Sequence, residues 1–142
     1  MVRQLQKVRR RAQEREDEFW GIGIEIMNCE NSRASDKTLL RRFLSFFGAE
    51  PLHVSIIWLL LEQSGWLRFG EKVQECHLLW ALMFLKVYST ETVHARMVVC
   101  DEKTFRAKVW FLLEGIATLD IMLVSKKMNF VLYFYYSTLT DC

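Results

Sequence analysis

The sequence predicts an all-α protein, a small helical bundle containing a helix-turn-helix. Three observations lead there. Apolar residues recur with the helical period in separate segments, helix stop and start signals divide those segments, and 51% hydrophobic content in 142 residues suffices for one core. A flexible charged N-terminal arm and a hydrophobic, strand-like C-terminal tail are expected to flank the bundle.

Residues 1–35 read as the charged arm and a linker. Arg3, Lys7, Arg9, Arg10 and Arg11 precede Glu14, Glu16, Asp17 and Glu18, and residues 1–19 read as a charged helix or arm facing solvent. Gly21 and Gly23 look like a breaker, and residues 28–36, rich in Asn, Ser and Asp, look like a linker. The helical domain is expected over residues 36–120. Asp36 is placed to cap a helix carrying Leu39, Leu40, Phe43, Leu44 and Phe47, and Gly48 to close it in the left-handed conformation. Pro51 suits the first turn of the next helix. That helix, Leu52 to Gln63, is apolar enough to be nearly all buried before Gly65 ends it. After a loop over 64–74, residues Glu75 to Tyr88 are apolar around the whole helix, which predicts a support helix at the centre of the core.

Thr90 or Thr92 can cap a short helix through Val93, Ala95 and Met97, and small Ala95 suits a close helix crossing. Asp101 then starts a third helix. At about 100° per residue, Phe105, Val109, Leu112, Leu113, Ile116 and Leu119 share one stripe, and Lys103, Arg106, Ala107 and Glu114 fall opposite. Only Val98 to Cys100 remain as the connection, the short turn of a helix-turn-helix. A glycine usually holds the tight position of such a turn. Val99 holds it here, and a β-branched residue resists positive φ, so a strained turn is expected. Trp110 and Phe111 fall off the stripe, to pack under the N-terminal helices or to form a surface for a homodimer or a partner protein.

The run Arg42 to Leu52, the run His77 to Tyr88, the opening Asp101 to Arg106 and the pair Val109-Trp110 together resemble the N-terminal region of Harbinger-type DDE transposases and their domesticated endonuclease relatives. The resemblance covers roughly residues 40 to 120. It implies a DNA-binding helix-turn-helix followed by a nuclease domain whose carboxylates hold two divalent metals. The chain departs from that pattern at Val99, at Ala107-Lys108 where a Lys-Trp pair is expected, and after Leu119, where no Asp-Gly pair follows. Residues 121–142, with a β-forming run from Asn129 to Tyr136, accordingly read as the remnant of a linker to a missing catalytic domain. Asp141 lacks downstream carboxylates with which to share a metal.

The expectation is therefore a non-catalytic, DNA-binding portion of a transposase-derived protein. A net charge of +2 does not announce nucleic-acid binding, so the reading depends on placement. Lys103, Thr104, Arg106 and Lys108 on the third helix would touch duplex DNA, and Arg9, Arg10 and Arg11 would add sequence-independent affinity or a nuclear address. The alternative is an intracellular helical protein-interaction module using its apolar surface. No cofactor and no metal are expected. Cys76, His77, His94 and Cys100 are zinc-compatible in type but lack ligand spacing, and neither phosphate-binding glycine pattern occurs. His53 reads as a boundary histidine. No apolar stretch follows the basic start, which argues against a secretory signal, and the four cysteines read as reduced thiols.

Overall fold

A computed structural model describes residues 2–87 and 89–125, and these form an all-helical bundle. The elements are α1 (Val2–Ile26), α2 (Asp36–Phe47), α3 (Pro51–Gln63), a 3-10 turn (Trp66–Arg68), α4 (Glu75–Lys86), α5 (Glu91–Met97) and α6 (Glu102–Ser125). No strand occurs among the described residues. The strand-like run at 129–136 lies outside them.

The expected N-terminal arm is a helix with one face in the core. Val8, Ala12 and Phe19 are buried, and α1 lies chiefly along α3. The apolar stripe is interrupted at Arg15, which is why charge dominates the sequence pattern there. Arg15 instead bridges elements, pairing with Glu18 on α1, Glu62 on α3 (3.2 Å) and Glu75 on α4 (2.8 Å). Gly21 and Gly23 do not break the helix, and at Gly23 the close approach of α2 requires a glycine. A Cβ on Gly23 would lie 2.1 Å from the Phe43 ring, so the missing side chain is what lets α2 approach.

Helix α2 is capped one residue earlier than expected. Ser35 Oγ accepts the N–H of Thr38, leaving Asp36 as an acid in the first turn, where the helix dipole favours it. Gly48 closes the helix at φ 74°, as its sequence position predicts. Pro51 then opens α3, and every residue from Pro51 to Leu61 is buried. Helix α3, not α4, is thus the most enclosed element. It contacts α1, the 3-10 turn, α6 and α4, whereas α4 leaves Leu85 exposed and Trp80 and Phe84 half-buried. His53, expected at the boundary, is buried inside α3, and burial pushes its pKa down.

Helix α6 packs mainly on α4 and α5. Phe105, Val109, Leu112 and Leu119 of the expected stripe are buried, with Leu113 and Ile116 half-buried. Where α6 crosses α3 and the 3-10 turn, Gly115 removes the Cβ that would meet Trp66 at 2.5 Å and Leu61 at 2.9 Å. The helix runs past residue 120 to Ser125, so the expected tail from 121 begins as helix. Among the described residues no single helix is long and apolar enough to cross a membrane.

Candidate nucleic-acid interface

Helix α5, the turn Val98 to Asp101 and helix α6 form a helix-turn-helix braced by α4. Thr90 starts α5, its Oγ1 accepting the N–H of Val93 at 3.3 Å, a cap worth about 1 kcal/mol. At the other end Val99 N–H donates to the Arg96 carbonyl and Cys100 N–H to the Ala95 carbonyl. That pairing is a Schellman closure, which places one residue in the left-handed region. Val99 is that residue, at φ 57° and 91% exposed. The strained turn expected from the sequence is present, and solvent on the side chain offers no packing to offset it.

Asp101 then opens α6. The Thr104 N–H donates to Asp101 Oδ2 at 3.0 Å and the Thr104 hydroxyl to Oδ1 at 2.5 Å, and these bonds hold the Asp101 carboxyl below its ordinary range. Behind the pair, His94 on α5 is fully buried and stacks on Phe105 of α6. Its Nε2–H donates to the Val87 carbonyl at 2.8 Å, satisfying an end carbonyl of α4. One imidazole thereby joins all three helices, a structural use that local sequence spacing does not reveal.

The α6 surface divides into three strips. On one flank Thr92 donates to Glu102 at 3.0 Å and Arg106 pairs with Glu91 at 2.6 Å, so α5 lies there. On the opposite flank Lys108 pairs with Glu71 at 2.8 Å and Phe111 stacks on Trp66, so the loop after α3 lies there. Lys103, Ala107, Trp110 and Glu114 fall between and face solvent.

The expected DNA-contacting residues fare differently. Lys103 and Arg106 point outward as anticipated, although Arg106 is also bonded to Glu102 at 2.8 Å. Hydrogen bonding to Glu91 and the charges of Glu91 and Glu102 raise the Arg106 pKa. The side chain of Thr104 is occupied by Asp101. Lys108 is largely covered, only 17% of its side chain remaining exposed, because it is bound to Glu71 and to the Lys72 carbonyl. Arg9, Arg10 and Arg11 ride on α1, which packs on α3; Arg10 and Arg11 are exposed and Arg9 is half-buried, close enough to His53 to help lower its pKa. The structure therefore brings Lys103 and Arg106 together, while the α1 arginines sit on another element. Arg96, exposed on α5, and the exposed trio Arg68, Phe69 and Lys72 beside α6 are further groups on this surface that the sequence-based reading does not single out. The signal for the trio was present as an aromatic residue between cations next to Gly70.

Other groups add little chemistry. Cys29, Cys76 and Cys100 are free, and burial raises the thiol pKa of Cys76 and Cys100. Among the described residues no group of three or more His, Cys, Asp or Glu side chains is placed to hold a metal ion. Phe111 packs on the loop rather than beneath the N-terminal helices, and Trp110 is 44% exposed against the edge of Phe84. Comparisons with protein-family models, with curated proteins and with solved structures found no match to this chain.

Proposed function

We propose that the chain is a DNA-binding module of transposase-derived origin, acting in the nucleus by binding rather than by catalysis. The observation that carries the reading is the α5-turn-α6 unit. Its first α6 turns hold Lys103 and Arg106 outward while Phe105, seated under His94, Phe84 and Trp80, fixes their direction. The resemblance over residues 40 to 120 adds to it. In this reading the outer strip of α6 lies in the major groove, Lys103 and Arg106 reach phosphates or guanine edges, and Arg96 approaches the bordering strand.

The test is fluorescence anisotropy with a labelled mixed-sequence duplex over a series of salt concentrations. Log affinity should fall against log salt with a slope of about −2 or steeper, and Lys103→Ala with Arg106→Ala should flatten it by about 2. Absence of binding at low salt would overturn the reading.

One observation favours a second reading, a protein-interaction module. Of the six large apolar side chains most open to solvent among the described residues, five (Leu85, Val93, Met97, Val99 and Trp110) belong to α4 or the α5-turn-α6 unit, and the sixth, Phe69, lies on the loop beside α6. Salt-insensitive self-association, lost in Met97→Glu, would support it over DNA binding.

A further inference from the structure

The geometry points to the loop from Trp66 to Lys72 as a second DNA contact beside α6, in which Arg68 and Lys72 bind phosphates and Phe69 packs against the sugar edge. This inference rests on the DNA-binding reading and adds a site to it.

The loop is held in place at several points. Trp66 stacks on Phe111 at 5.3 Å and donates its Nε1–H to the Phe111 carbonyl at 3.0 Å. Lys108 binds both Glu71 and the Lys72 carbonyl. Gly70, at φ 89°, brings the backbone so close to α6 that a Cβ would stand 2.8 Å from the Phe111 ring. These contacts use the inward side chains of the loop and leave Arg68, Phe69 and Lys72 outside. Phe69 is 82% exposed. A large aromatic side chain held out to water on a braced loop gains nothing from the fold, and its flanking cations suit a polyanion.

The position also fits. The loop and α5 lie on opposite flanks of the α6 strip that carries Lys103 and Trp110. A helix with its side chains is about 10 to 12 Å across, and the major groove is about 12 Å wide. With α6 in the groove, groups on its two flanks stand over the two bordering strands. Arg96 serves one strand and the loop the other. Glu71, the one acid of the loop, is neutralised by Lys108 and so does not repel the phosphates.

The experiment compares the full chain with Arg68→Ala/Lys72→Ala and with Phe69→Ser, alongside Lys103→Ala, by anisotropy with a mixed-sequence duplex. Circular dichroism checks that each variant stays folded. The double variant should reduce the log-log salt slope by about 1.8, so that the affinity lost between about 50 and about 200 mM salt shrinks roughly tenfold. Phe69→Ser should weaken binding with the slope unchanged. If the wild type binds and Lys103→Ala weakens it, yet the loop variants keep both affinity and slope, the loop is no DNA contact and this inference alone is overturned. If the wild type fails to bind at low salt, the DNA-binding reading and the loop contact fall together.

Discussion

At the end of α1, Cys29 N–H reaches back to the Ile24 carbonyl and Asn28 N–H to the Glu25 carbonyl; at the end of α5, Cys100 and Val99 make the same pair of bonds to Ala95 and Arg96. Both closures put one non-glycine residue near φ 57°. Asn28 tolerates that conformation, whereas a β-branched side chain is a steric outlier there. The two ends differ in their surroundings as well. The α1 end leads into the connection to α2, while the α5 end is the short turn before α6. Backbone strain and most of the exposed large apolar side chains thus gather in the half of the molecule where α4, α5 and α6 meet, while the half where α1 lies along α3 and Gly23 admits Phe43 of α2 is closely packed. Departures from local preference of this kind concentrate at surfaces that bind.

The largest effect should come from the tightly packed half. Gly23→Ala drives a methyl group into Phe43 and should lower unfolding free energy by about 1 to 3 kcal/mol in urea titrations. Two residues earlier, Gly21 has nothing within 4 Å of the added Cβ, and Gly21→Ala should raise stability by about 0.5 to 1 kcal/mol. A similar loss at both positions would mean that α1 does not pack on α2 as described.

Next in size is the pair of left-handed residues. Val99→Gly should stabilise the protein by about 1 kcal/mol, since the side chain is 91% exposed and its removal relieves strain without opening a cavity. Asn28→Gly should change stability by only a few tenths of a kcal/mol. Equal gains at the two sites would contradict the difference drawn between them.

The two halves also carry histidines with a shared dependence on pH. His77 accepts the Gln74 N–H through Nδ1 at 2.9 Å, and burial and then the charge of Lys108 push its pKa below 6.5; burial does the same to His53. The unfolded chain therefore takes up protons that the folded chain refuses, and stability should decline as pH falls below 6.5. His77→Gln keeps an acceptor for the capping bond and should flatten the decline in part, leaving the contribution of His53. A smaller effect is expected on binding. If the proposed DNA-binding reading holds, Glu91 and Glu102, which pair with Arg106, compete with phosphate for it, and Glu91→Gln should tighten binding a few-fold.

Much of the fold is legible in the sequence wherever one chain segment contains its own signal. The stripe of α6, the left-handed Gly48, the burial of α3, a threonine cap on α5 and the strain at Val99 all follow from neighbours in sequence, although the choice of Thr90 over Thr92 does not. The buried face of α1 is hidden in the sequence because Arg15 occupies its apolar stripe, and the charge makes sense only once Glu62 and Glu75 arrive from α3 and α4. The site was half legible for the same reason. The outward direction of Lys103 and Arg106 follows from helical periodicity, but the ion pair of Arg106 with Glu91, 15 residues away, and the capture of Lys108 by Glu71 depend on how the helices dock.

The most direct test of the central claim is backbone amide NMR of the uniformly labelled chain titrated with a mixed-sequence DNA duplex. The largest shifts are expected at Lys103, Arg106, Ala107 and Arg96, smaller ones at Arg68 to Lys72, and none in the buried run of α3. Shifts confined to α1, or no shifts at low salt, would contradict it.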